Sequence, residues 1–159
     1  PPFFFFKQMT EYAIRLSLVG SEMCIRDRYK GINNCVYRVG FAASQAAYQE
    51  SVEQLFCTLD SIEQILDRKK FLLGDEPCEA DWRILPTLII FDTVYYYHFK
   101  CNLRKLSSYT NISNYLDNLS KIKKVAETIH NSHIVDHYYL SHLKINPFGI
   151  IPIGVQNLM

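Results

Sequence analysis

The sequence predicts an all-α fold, a helical bundle with an irregular C-terminal tail. Three observations carry this. From Ser44 to Lys69, the apolar residues Tyr48, Val52, Leu55, Phe56, Leu59, Ile62, Ile65 and Leu66 recur at three- and four-residue spacing, with Glu50, Glu53, Asp60 and Glu63 mostly on the other face. From Trp82 to Tyr95 the chain is apolar on nearly every face, as in a central helix covered by others. No alternating apolar–polar run of useful length exists, so no sheet is expected. With 159 residues and 48% apolar content, one domain with a real core is expected.

Residues 1–30 read differently from the rest. The chain opens at Pro1, and Phe3 to Phe6 form an apolar run with no basic residue before it. That is a poor signal peptide and too short a segment to cross a bilayer. Ser17 to Arg28 resembles a translated sequencing-adapter string, so residues 1–30 are expected to be a non-native leader. The alternative is an ordinary helix over Thr10–Val19, supported by the Ile14/Leu18 pair. Residues 31–159 form the expected helical domain.

Gly31 to Ala42 reads as a loop with a short helical turn. Ser44 is the expected N-cap of the amphipathic helix. Gly74 and Pro77 break the chain after Phe71-Leu72-Leu73, and Glu79 and Asp81 place negative charge where the next helix begins. Asp81 is expected to be a structural cap, the acidic member of a capping-box-like Cys78-x-x-Asp81. Cys78 is a poor acceptor, which weakens a cap worth about 1 kcal/mol. Pro86 removes one backbone bond, so a kink is expected near Trp82–Pro86. A third helix opens near Ser107–Asn111 with Ile112, Tyr115, Leu116, Leu119 and Ile122 inward. A short one carries Val125, Ala126 and Ile129. Ser132 caps a last one with Ile134, Tyr138 and Tyr139. Pro147, Gly149, Pro152 and Gly154 then end regular structure in a tail on the surface.

The formal net charge of +1 argues against a general nucleic-acid binder. Asp81, Arg83 and Asp92 interrupt the central apolar stretch, so it is not a membrane span. The five cysteines are odd in number and contain no C-x-x-C pair, which excludes a zinc knuckle or a local redox pair and favours a reduced, cytoplasmic setting. His130, His133 and His137 fall on one helical face with His142 beyond. They approach a metal, hydrogen-bond the tail or flank a substrate cleft. No carboxylate or Cys completes the set, and no metal is expected.

Three stretches together resemble the xi class of glutathione transferases, the glutathionyl-hydroquinone reductases. They are Ile32-Asn33-Asn34-x-Val36-Tyr37-Arg38-x-Gly40-Phe41-Ala42; Glu79-Ala80-Asp81-Trp82-Arg83 through Asp92-x-Val94-Tyr95 to His98-Phe99-Lys100-Cys101-Asn102; and His137-Tyr138-Tyr139-x-Ser141-His142 with Ile145-Asn146-Pro147. The resemblance covers about residues 31–155 and implies a helical domain of the glutathione transferase C-terminal type with a buried Trp. Departures are Cys35 for the usual Gly, Cys78 for Ser or Thr, and Pro86 inside the central helix.

In that family a thioredoxin-like domain precedes this one and holds glutathione, the co-substrate, beside a catalytic Cys in a Cys-Pro motif. None of the five cysteines here precedes Pro, so no catalytic residue is assigned in this chain. The resemblance implies that Tyr37 and Tyr138, with Tyr139 and His142 behind them, face a quinone-type molecule, since a phenol offers a flat ring and a hydroxyl. The alternative is buried tyrosines with satisfied hydroxyls. Phe91, Tyr95 and Phe99 form either core packing or, because the family is dimeric through its helical domains, a homodimer interface. Two readings follow: the substrate-side domain of a glutathione-dependent reductase, inactive alone, or a non-catalytic interaction domain of the same fold.

Overall fold

The computed structural model describes residues 29–156, and the expectations for residues 1–28 lie outside the described residues. All regular structure among the described residues is helical. The helices are α1 (Cys35–Gly40), α2 (Gln45–Leu66), α3 (Glu79–Ile89), α4 (Thr110–Ser120), α5 (Asn131–Ser141) and a terminal turn α6 (Ile153–Gln156), with π-helical turns at Tyr29–Asn33 and Phe91–Tyr95. None of them is long and apolar enough to cross a membrane.

The amphipathic spacing of α2 does what it predicts. Ser44 accepts the Ala47 N–H at 3.2 Å as N-cap. Val52, Leu55, Phe56, Leu59, Ile62 and Leu66 are buried, and α1 and α4 pack on this stripe. Glu63 reaches from α2 to the start of α4, where its carboxylate accepts the N–H groups of Asn111 and Ile112 at 2.8 and 2.9 Å. A side chain of another helix thus satisfies donors that the α4 turn itself leaves open.

Asp81 is fully buried and caps α3, accepting the Cys78 N–H at 2.8 Å and the Cys78 thiol at 2.9 Å. Cys78 thus completes a reciprocal capping box, its thiol donating to Asp81 while its Sγ faces the Asp81 N–H; burial and the bond to Asp81 push its thiol pKa up. The central helix differs from expectation in two ways. Trp82 lies on the outer face with Arg83 and is 38% exposed, so it is not a buried anchor. The helix, with Pro86 inside it, also ends at Ile89 instead of running on to Tyr95, after which the Tyr96 N–H bonds to the Phe91 carbonyl at 2.8 Å. This wider turn rotates Phe91, Val94 and Tyr95 into the core. Such turns re-aim side chains at functional positions.

The chain reverses at Lys100, which has φ 61° between the buried Phe99 and Cys101. Its carbonyl accepts the Tyr48 hydroxyl at 2.8 Å, which holds the turn. A left-handed conformation costs a side-chain-bearing residue about 1–2 kcal/mol. Lys100→Gly keeps the carbonyl and removes that cost, offset by the greater freedom of glycine in the unfolded chain. The expected result is a gain of about 0.5–1 kcal/mol in urea unfolding with an unchanged m-value.

The tail is more than a surface strip. Val155 is fully buried against Val135 and Tyr139, with Tyr97, Tyr138 and Ile151 at the edge. Asn146 pins the turn before it, donating to the carbonyls of Tyr139 and Ile150 at 2.9 and 3.0 Å.

Candidate functional site

Three tyrosines from three elements meet at one point. Tyr37 comes from α1, Tyr95 from the π-helical turn and Tyr138 from α5. The Tyr138 hydroxyl lies 2.8 Å from that of Tyr37 and 2.9 Å from that of Tyr95. Phe99 lies behind them, its ring 5.3 Å from those of Tyr37 and Tyr95 and 6.1 Å from that of Tyr138. In front is a cleft of about 300 Å³ whose lining includes Asn33, Tyr37, Thr87, Ile90, Tyr95 and Tyr138.

Proton counting gives this chain of hydroxyls a direction. Three phenol protons serve two bonds, so one proton is left over. Tyr95 is 2% exposed and Tyr37 is 38% exposed. A spare proton on Tyr95 would be buried unpaired, at a cost of about 1–3 kcal/mol. The order Tyr95 to Tyr138 to Tyr37 avoids this and leaves a donor on Tyr37 at the cleft. Burial, followed by the bond to Tyr138, pushes the Tyr95 pKa far above the phenol range. Burial and the bond to Tyr37 push that of Tyr138 up to about 12. Both stay neutral near pH 7 and act as hydrogen-bonding groups rather than as bases.

The other expected site residues divide. His142 borders the cluster, with its ring 5.5 Å from Tyr138 and 5.6 Å from Phe41. It stacks on the buried His98, whose Nε2 lies 3.2 Å from His142 Nδ1. Burial, reinforced by His142, lowers the His98 pKa to about 4, and burial also lowers that of His142. One neutral imidazole therefore donates to the other behind Tyr138. Tyr139 does not face the cleft. It is 2% exposed and its hydroxyl donates to the Thr93 carbonyl at 3.0 Å, so it anchors α5 to the π-helical turn. Phe91, Tyr95 and Phe99 are not a subunit surface either. They are 0%, 2% and 0% exposed within this one chain, which leaves no ring face for a partner.

Two contributors escaped the sequence reading. Asn33 sits inside a quoted motif, and its place in the cleft comes from two bonds to α3, 50 and 54 residues away. His98 likewise sits inside a quoted motif, and its role comes from stacking on His142, 44 residues away. His130 and His133 pair with each other, 5.4 Å between rings. No group of three or more His, Cys, Asp or Glu among the described residues is arranged to hold a metal ion.

None of the four described cysteines is paired. Cys101 is fully buried and its pKa is raised by burial; Cys35 is likewise raised and donates its thiol to the Ser51 carbonyl at 3.2 Å. Both are thiols near pH 7 and behave as packing residues.

A family model for the C-terminal domain of glutathione S-transferases matches residues 45–118. Among similar proteins, the glutathionyl-hydroquinone reductase PcpF of Sphingobium chlorophenolicum is 48% identical over 126 residues, covering 79% of this chain and 40% of its own length. The glutathionyl-hydroquinone reductase YqjG of Escherichia coli K12 is 45% identical over 126 residues, covering 79% of this chain and 38% of its own. The glutathione-bound structure of YqjG superposes with a TM-score of 0.86 and 39% identity over 92% of this chain and 47% of that one. A xi-class glutathione transferase from Natrialba magadii gives 0.82 and 36% identity over 91% and 42%. The chain thus spans about 40% of the length of the curated relatives it matches.

Proposed function

From the premise that this chain belongs with the C-terminal domains of xi-class glutathione transferases, we propose that it forms the acceptor side of a glutathione-dependent reductase of glutathionyl-hydroquinones. The observation that carries this is the Tyr37–Tyr138–Tyr95 hydroxyl chain at the mouth of an aromatic-backed cleft. It offers a flat ring both a stacking wall and a hydrogen-bond donor.

In the complete enzyme a thiolate outside residues 29–156 attacks the glutathionyl sulfur. The sulfur–aryl bond breaks, its electron pair goes to the ring carbon, and that carbon takes a proton. The enzyme is left as a mixed disulfide with glutathione. A second glutathione thiolate attacks that disulfide, releasing oxidised glutathione and the enzyme thiolate. Tyr37 holds the hydroquinone oxygen throughout, and the neutral Tyr138 and Tyr95 fix the direction in which Tyr37 donates. The proposed partners are a thioredoxin-like domain that binds glutathione, a quinone-type small molecule and a second copy of the protein. The proposed compartment is the cytoplasm, in keeping with unpaired cysteines.

Tyr138→Phe tests the reading. Loss of the central hydroxyl breaks both links of the chain. Hydroquinone affinity of this chain, followed by NMR shifts at Tyr37 and Tyr95, should fall roughly tenfold, the worth of one hydrogen bond to a ligand. No turnover is expected from the chain alone. Failure of the unsubstituted chain to bind any hydroquinone would favour a non-catalytic interaction domain instead.

A further inference from the structure

Asn33 lies at the end of the first π-helical turn, on the wall of the same cleft. Its Nδ2 is 2.9 Å from the Arg83 carbonyl oxygen and 2.9 Å from the Thr87 hydroxyl oxygen. A carbonyl oxygen only accepts, so the amide atom facing it must be nitrogen. Both amide hydrogens are then committed to α3, one to each oxygen. This fixes the plane of the amide and leaves Oδ1 as its remaining polar atom, an acceptor with no hydrogen of its own.

The tyrosine chain supplies the opposite character. Its spare proton is on Tyr37, so that wall donates. We propose that Asn33 Oδ1 is the acceptor that reads a free hydroxyl on the bound ring, paired with Tyr37 as donor. The inference rests on the quinol reading of the cleft and narrows it. The site selects aromatic rings that carry a free hydroxyl over rings whose oxygens are alkylated. An ether oxygen still accepts from Tyr37 but has no proton for Asn33. Binding such a ring would leave a polarised amide oxygen desolvated and unpaired. Thr87, buried in α3, acts as a positioning residue: it takes the second amide hydrogen and stops the amide from turning.

The test uses the chain itself with hydroquinone and its dimethyl ether as probes. Calorimetry on the unsubstituted chain should show hydroquinone binding roughly tenfold more tightly than the ether. Asn33→Ala should bring the ratio close to one by weakening hydroquinone alone. Should Asn33→Ala fail to fold, the Asn33 side-chain amide signals of the unsubstituted chain still decide the matter. They should shift on addition of hydroquinone and stay put with the ether. Equal binding of the two probes by the unsubstituted chain, or an unchanged ratio in folded Asn33→Ala, would overturn the role of Asn33 and leave the cleft reading intact. Binding of neither probe by the unsubstituted chain would instead remove the quinol reading itself.

Discussion

Asp81→Asn is expected to destabilise the chain by about 3–5 kcal/mol, nearly as much as Asp81→Ala, although it changes neither size nor shape. The reason is the number of donors aimed at this one side chain. Oδ1 accepts the Leu72 N–H at 3.0 Å and the Tyr115 hydroxyl at 2.9 Å. Oδ2 accepts the Cys78 N–H and the Cys78 thiol at 2.8 and 2.9 Å. Four donors therefore point at two oxygens, in a residue with no exposed surface. An amide must set its NH₂ against one of the two pairs, orphaning two donors and pressing hydrogen against hydrogen. Each buried donor left unmet costs about 1–3 kcal/mol. These bonds join the loop before α3, the cap of α3 and the face of α4, so their loss opens three elements together. Urea unfolding at constant m would measure it. An Asp81→Asn variant within about 0.5 kcal/mol of the parent would mean that the capping box alone, without Leu72 and Tyr115, carries the role of Asp81.

What the sequence disclosed and what it hid have different physical origins. The helix α2 was legible because burial of one face imposes a 3.6-residue period on every residue along it, from Tyr48 to Leu66. Tyr37 and Tyr138 were singled out because a family resemblance named them, and periodicity alone could not distinguish Tyr138 from Tyr139, its neighbour in the same helix. That distinction depends on which hydroxyl meets a backbone carbonyl and which meets another phenol, and both partners lie more than forty residues away. The central helix misled for a related reason. Trp82 reads as core by its apolarity, yet the face of α3 that turns inward is set by Asp81 and its distant donors, which leaves Trp82 outside. The break after Ile89 carries no Gly or Pro at the turn itself to announce it. Asn33 carries no signal of its type at all, since an Asn in a turn is ordinary.

Gly40→Ala is expected to cost about 2–3 kcal/mol and to weaken the proposed hydroquinone binding at the same time, although residue 40 is not among the residues lining the cleft. A methyl group at Gly40 would stand 2.4 Å from Cγ of Phe99 and 2.7–2.8 Å from both Cδ atoms. Carbon atoms pack at about 3.5–4 Å, so the ring must move. Phe99 has nowhere to retreat. It is fully buried, with Tyr37, Phe41, Tyr95 and His142 all within 5.3–5.5 Å, centre to centre. Displacing it pushes on two of the three tyrosines whose hydroxyl spacing makes the proposed site. A shift of a few tenths of an ångström there is enough to lengthen bonds of 2.8 and 2.9 Å. The steric cause predicts its own remedy. Phe99→Leu alone leaves a cavity and destabilises, but in the Gly40→Ala background the smaller side chain makes room for the methyl group. The double variant should recover at least about 1 kcal/mol relative to the sum of the single costs. Strict additivity would show that the two positions do not press on one another, and that Gly40 is required for the backbone rather than for Phe99.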